Sequence, residues 1–218
     1  MRTSIAAITQ ALVLVAGLSL GACSPQPIGD ADILCVDQGK HPFEPAARHW
    51  WTNNSTLAYA YQFGEEVAYD LHSDNQCDYN KIGGLSADLF TNHENSLMVG
   101  WRYDLSGQLV LAPYYHQDGT AYYASAPCTG YTADLAVEDP ALEYLSIPAT
   151  EQYEVFWRVI NPTTVSVLIL TSQENLYYEH VFPNANFSHW REIAPYFGGD
   201  EPAPHEICLL RYKIGSSE

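Results

Sequence analysis

Basic side chains are scarce in this sequence. Three lysines (Lys40, Lys81, Lys213) and six arginines face 26 acidic residues, for a formal net charge of −17 over 218 positions. A chain this acidic has no field to hold a phosphate backbone, which excludes general nucleic-acid binding. So few lysines also argue against a lysine nucleophile. Long uninterrupted helices are disfavoured, because 14 glycines and 13 prolines break the chain about once in eight residues. Internal repeats, coiled-coil heptads and low-complexity tracts are missing, and no shift in composition marks a boundary between two domains.

Aromatic and apolar residues, by contrast, are plentiful. Hydrophobic residues make up 47% of the chain and charged ones only 16%, and five Trp, 16 Tyr and seven Phe require burial or a ligand. Strand-like segments dominate. In Ser55–Phe63 alternation places Leu57, Tyr59, Tyr61 and Phe63 on one face. In Ser96–Asp104 it places Leu97, Val99, Trp101 and Tyr103 opposite Met98, Gly100 and Arg102. Gln108–His116 and Thr120–Ala126 follow through turns at Leu105-Ser106-Gly107 and Gln117-Asp118-Gly119, as in a meander of hairpins. Pro113 predicts a bulge or an edge position within its strand. Gln152–Ile160, Thr164–Leu170, Leu176–Phe182 and Ile207–Ile214 complete the set, with short helical turns expected near Asp134–Leu145 and Ser188–Ile193. Ile82-Gly83-Gly84-Leu85 reads as a backbone bend. The predicted fold is all-β: a two-layer antiparallel β-sandwich of jelly-roll type with few short helical turns, forming one domain over residues 33–216.

The N-terminus carries an address. Met1-Arg2 precedes an apolar run from Ile5 to Leu20, the layout of a secretory signal. As a helix those residues span about 24 Å, short of a ~30 Å hydrocarbon core. Leu20-Gly21-Ala22-Cys23 then resembles the lipobox of bacterial lipoproteins. The resemblance covers residues 1–23. It implies a signal peptide removed after residue 22, diacylglycerol on the Cys23 sulfur, an acylated new amino terminus, and residues 23–32 as lipidated Cys and tether. Several acyl chains at ~0.8 kcal/mol per buried methylene anchor stably where one does not. Ser24, where the family's sorting rule reserves Asp for inner-membrane retention, implies the outer membrane. Cleavage would remove Arg2 and leave eight basic against 26 acidic residues, a net charge of −18. Four cysteines remain for an oxidising compartment: Cys35, Cys77, Cys128 and Cys208. They allow three pairings, and spacing does not choose among them. Cys35–Cys208 with Cys77–Cys128 is favoured because the two ends of a sandwich often lie side by side. The absence of any Cys-x-x-Cys spacing argues against zinc.

Candidate chemistry is thinly spread. Arg102 on its strand, Tyr114 and His116 on the neighbouring hairpin, and His93 in the loop before Ser96 form a candidate ligand site, since aromatic faces stack on sugar rings and Arg pairs with carboxylates. Gly100 beside Arg102 would leave room for a ligand over the sheet. No cofactor motif is present. Asp70-x-His72-x-Asp74, and Asp200, Glu201, His205 and Glu206 further on, are candidate structural Ca²⁺ ligands, although the first set lacks the EF-hand grammar. Pro195–Ile207 resembles the loop into the last strand of some bacterial surface jelly rolls, a likeness that implies no activity. The Gly-x-Ser-x-Gly elbow and His-Glu-x-x-His are missing. So are the Gln-x-His and Tyr-x-Lys-x-Gly-x-Tyr strands of alginate-lyase jelly rolls and the Glu-x-Asp-x-x-Glu strand of sandwich glucanases. The leading expectation is therefore a lipid-anchored envelope protein with a non-catalytic β-sandwich binding module for glycan or another envelope component. Two further readings stay open: a polysaccharide lyase or glycoside hydrolase on the same face, and a structural or assembly lipoprotein with a protein partner.

Overall fold

The computed structural model describes residues 31–45, 51–52, 54–88, 93–128 and 137–214. The signal segment, the lipobox and Cys23 lie outside the described residues. In chain order the strands are β1 (Asp32–Val36), β2 (Trp51–Thr52), β3 (Thr56–Phe63), β4 (Asn80–Ser86), β5 (Ser96–Tyr103), β6 (Gln108–Gln117), β7 (Thr120–Tyr123), β8 (Val137–Glu138), β9 (Leu145–Pro148), β10 (Tyr153–Asn161), β11 (Thr164–Leu170), β12 (Asn175–Val181), β13 (Trp190–Ile193) and β14 (Ile207–Lys213). They form two packed sheets, the two-layer sandwich that the turn spacing predicts. One runs β1-β14-β3-β10-β11-β12; the other runs β2-β13-β4-β5-β6-β7-β8, with β9 also on β6. Every pairing is antiparallel except the short β7–β8 contact.

Alternation builds the core. Tyr59, Tyr61 and Phe63 of β3 point inward, as do Leu97, Val99 and Trp101 of β5 and Val155 and Trp157 of β10. Trp101 meets Phe63 at a centroid distance of 4.5 Å across the layers. Pro113 stands in the gap where β6 passes from β9, paired through Leu111, to β7, paired from Tyr114. Nothing on that flank requires the N–H that proline lacks. The two disulfides are Cys35–Cys208 and Cys77–Cys128, as favoured above. Cys35 and Cys208 sit directly opposite each other in the β1–β14 ladder, so this bridge joins the first and last strands.

Three local expectations are corrected. Ser188–Ile193 forms no helical turn but ends in β13, which pairs with β4 and β2. The described part of Asp134–Leu145 holds β8, a turn and the first residue of β9. Most consequential, Ile82-Gly83-Gly84-Leu85 is not a bend but the middle of β4, a strand flanked on both sides. Its glycines have specific duties. Gly83 takes φ 148° at a bulge in the β4–β5 register, a conformation that side chains disfavour. At Gly84 a Cβ would collide with the backbone of Leu97 and Met98.

Candidate functional site

Bulge and pleat together decide what β4, β5 and β6 show on the outer face of their sheet. Opposite partners share a face in an antiparallel pair. Ser96 faces His116, Met98 faces Tyr114, and Gly100 faces both Ala112 and Lys81. Beyond β4 the sheet continues through Tyr196, whose N–H and C=O bond Lys81 at 2.8 Å each, and then through Pro42. His41 stacks on Tyr196 with ring centroids 5.4 Å apart. These elements enclose a cavity of about 320 Å³ lined by Lys81, His93, His116 and Tyr196 with apolar walls that include Phe43 and Met98.

Lys81 is the one cationic centre in that lining, and its Nζ lies 4.6 Å above the centre of the Tyr114 ring. The cation–π contact leaves the ammonium without a hydrogen bond or ion pair among the described residues. Burial pushes Lys81 down to about 8, partly opposed by the negative charge of Asp78. Asp78 is itself raised, first by burial and then by Asp200 against the lowering pull of Lys81, and its Oδ2 is buried without a hydrogen-bond partner. Burial, reinforced by Asp78, holds the Tyr114 hydroxyl up at about 12. His116 is buried, with Nδ1 3.3 Å from Ser96 Oγ. Its ring lies 5.1 Å from that of exposed His93 and 5.3 Å from that of Tyr114.

Three of the four residues read from the sequence as a ligand site are therefore brought together: His93, Tyr114 and His116. Arg102 is not with them. It is 2% exposed. Its guanidinium donates to the carbonyls of Cys77 (2.8 Å), Ala126 (2.6 Å) and Pro127 (2.8 Å) and lies 5.0 Å from the Tyr79 ring centre. It braces the two segments that the Cys77–Cys128 bridge joins, and does not line the cavity. The space expected over Gly100 is filled by Tyr79, whose ring would stand 2.9 Å from any added Cβ. Lys81 and Tyr196 take the places those expectations gave to Arg102 and Gly100. The sequence does not mark Lys81 as a site residue, because the turn-like Gly83-Gly84 pair masks its strand. The usable signal was alternation within Asn80-Lys81-Ile82 beside a turn-bounded partner.

The two candidate Ca²⁺ clusters are dispersed. His72 pairs with Asp70 at 3.0 Å on the surface. Glu201 accepts from Ser73 and Asn75, while His205 Nε2 meets the Glu66 carbonyl at 2.7 Å. Among the described residues no group of three or more His, Cys, Asp or Glu is placed to hold a metal ion.

No family model and no curated protein matches the chain. Solved structures resemble it distantly. Scytalido-glutamic peptidase with a peptide-based transition-state analogue aligns at TM-score 0.31 and 8% identity over 86% of this chain and 66% of that one. The CBM2 module of Lactobacillus casei BL23 phage J-1 evolved Dit aligns at 0.35 and 9%, over 77% and 66%. Full-length tailspike protein 2 from Escherichia coli O157:H7 bacteriophage CAB120 aligns at 0.37 and 11%, over 92% of this chain and 27% of that one. This chain thus spans just under two thirds of the first two. Likenesses this remote leave function to the chain's own residues.

Proposed function

We propose that this protein is a lipid-anchored component of the cell envelope whose sandwich is a binding module for a glycan. The observation that carries the binding reading is the convergence of Lys81, His93 and His116 on one apolar-walled cavity, with the Tyr114 ring packed against Lys81 and His116 behind its lining. Such a cavity, apolar with a few converging polar groups, is the ordinary form of a small-molecule site. The address rests on the Leu20-Gly21-Ala22-Cys23 lipobox, with Ser24 directing the acylated chain to the outer membrane. The two disulfides support an oxidising compartment. A glycan array probed with the wild type and with His116→Ala tests the binding reading: bound glycans should lose signal in the variant. Unchanged signal with folding intact removes the cavity from the interaction. A fatty-acid probe incorporated in cells should mark the wild type and leave Cys23→Ala unmarked.

One observation favours a second reading, a polysaccharide lyase on the same face. A lysine whose burial lowers it to about 8 beside a tyrosine is a strong enough acid to exchange protons near neutral pH. New ultraviolet absorbance from unsaturated sugar ends, on incubation with uronate polymers, would select it over simple binding.

A further inference from the structure

The binding reading leaves the ligand class open, and the charge inside the cavity narrows it. Of the three lysines, Lys40 and Lys213 are exposed in the ordinary way. Lys81 instead is placed on an interior strand of the larger sheet, paired through its backbone with Tyr196 and with its tip beside Gly198, where an added Cβ would come within 2.9 Å of Nζ. Desolvating an ammonium is costly unless it is paired, and a cation–π contact contributes only about 0.5–2 kcal/mol. The described residues supply Nζ with no hydrogen-bond acceptor and no carboxylate within ion-pair distance. Lys81 is half-buried, so the pairing is left to water or to whatever displaces it from the cavity.

The remaining lining specifies the rest of the guest. Lys81 is the one side chain there with a fixed positive charge, and Asp78 already biases the neighbourhood toward negative. One cation compensates one negative charge; a dianionic phosphate monoester would be left in excess. Tyr196, 41% exposed at the rim, offers a flat face backed by His41, and aromatic faces of this kind receive the C–H side of a sugar ring. A volume near 320 Å³ is at the lower end for ligand sites, ~300–1,000 Å³, and suits one ring rather than a length of chain. We infer that the cavity binds a single uronic-acid residue, its carboxylate paired with the Lys81 ammonium and its ring against Tyr196. This rests on the binding-module reading above.

Calorimetric titration of the full-length protein in detergent tests it. The probes are trigalacturonate, its fully methyl-esterified form, a sulfated trisaccharide and a neutral trisaccharide. Trigalacturonate should bind, and esterification, which removes only the charge, should weaken binding at least tenfold. Lys81→Met should lose the same tenfold for the acid and nothing for the ester. Equal affinity for acid and ester in the wild type overturns the inference while leaving a neutral-glycan module standing. A preference for the sulfated sugar replaces the carboxylate and overturns it too. Failure of all four sugars overturns the inference together with the reading beneath it. Because the acid–ester comparison uses the wild type alone, a misfolded Lys81→Met does not blunt the result; thermal unfolding of the variant shows whether its data count.

Discussion

Lys81 holds its ammonium 4.6 Å over the Tyr114 ring, two strands away across the outer face of one sheet. The strand between contributes only Met98 and Gly100 there, so a cation can sit low against the sheet. Burial of that charge opposes folding, whereas the proposed acidic ligand would pair it, and the two effects can be separated by measurement.

The first prediction concerns stability. The Lys81 ammonium is disfavoured in the folded state, with its pKa lowered from 10.5 to about 8. Below about pH 8 both folded and unfolded chains carry the proton, and the full cost of burying the charge is present. Between 8 and 10.5 the unfolded chain binds more protons than the folded one, so this residue's contribution to stability rises with pH. Lys81→Met removes the charge and keeps the length. It should stabilise the protein at pH 7 by about 1–3 kcal/mol, an advantage that fades as the pH approaches 10.5. Urea unfolding of both proteins across that range checks it. A less stable variant at pH 7 would mean that the ammonium is compensated in the native state.

The second concerns ligand affinity. An acidic sugar needs the protonated amine, so its affinity should hold from pH 6 to about 8 and decline above, with complex formation moving the midpoint upward. The groups around Lys81 are Asp78 on the approach to β4, Tyr114 and His116 on β6, and His93 and Tyr196 at the rim. Tyr114, held at about 12, keeps its proton through this range. Titrations with trigalacturonate at pH 6, 7.5 and 9 measure the decline. A methyl-esterified sugar should show none from this source. Flat affinity for the acid through pH 9 would contradict the assignment.

How much of this was legible beforehand follows from local physics. Strands with clean alternation, such as Thr164–Leu170, are found where expected because one face is buried and the period of two is unbroken. The Cys35–Cys208 bridge follows from the adjacency of first and last strands, and Cys77–Cys128 is the pair that then remains. β4 was illegible because Gly83 and Gly84 carry turn-like signals, although the bulge and the close approach of β5 are what require them. Losing β4 meant losing Lys81, and with it the cavity's charge. Arg102 was placed on the correct face, yet alternation cannot say whether an outer face meets solvent or a covering segment. Here residues 77–79 and 124–127 cover it.

A third prediction follows from Gly198. A Cβ there would meet Lys81 Nζ at 2.9 Å and the Tyr79 carbonyl at 3.2 Å. The lysine tip can swing away, whereas the backbone carbonyl yields only slightly. Gly198→Ala should therefore cost stability modestly, about 1 kcal/mol, and should reduce acidic-sugar affinity more than this small loss suggests, because the amine is displaced. Binding and melting measured on the same preparation check it. Wild-type affinity in Gly198→Ala would show that the amine position is not critical.

The last prediction concerns Arg102, which braces the covering segments and does not line the cavity. Its guanidinium satisfies three carbonyls, two of them on the segment just before Cys128 and the third on Cys77 itself. Arg102→Met leaves the buried Cys77 carbonyl without its donor and strips the part-buried Ala126 and Pro127 carbonyls of theirs, at a cost of about 1–3 kcal/mol. Removing the bridge as Cys77→Ser/Cys128→Ser should cost about 2–4 kcal/mol. Both changes release the same pair of segments, so their effects should not add. Once the bridge is gone, the carbonyls of Cys77, Ala126 and Pro127 can reach water, and deleting Arg102 then leaves less unsatisfied. A double-mutant cycle by denaturant unfolding should thus show a combined loss at least 1 kcal/mol smaller than the sum. Where Arg102→Met remains folded, its affinity for an acidic sugar should stay within twofold of wild type. Additive losses, or an affinity drop rivalling that of Lys81→Met, would return Arg102 to the ligand.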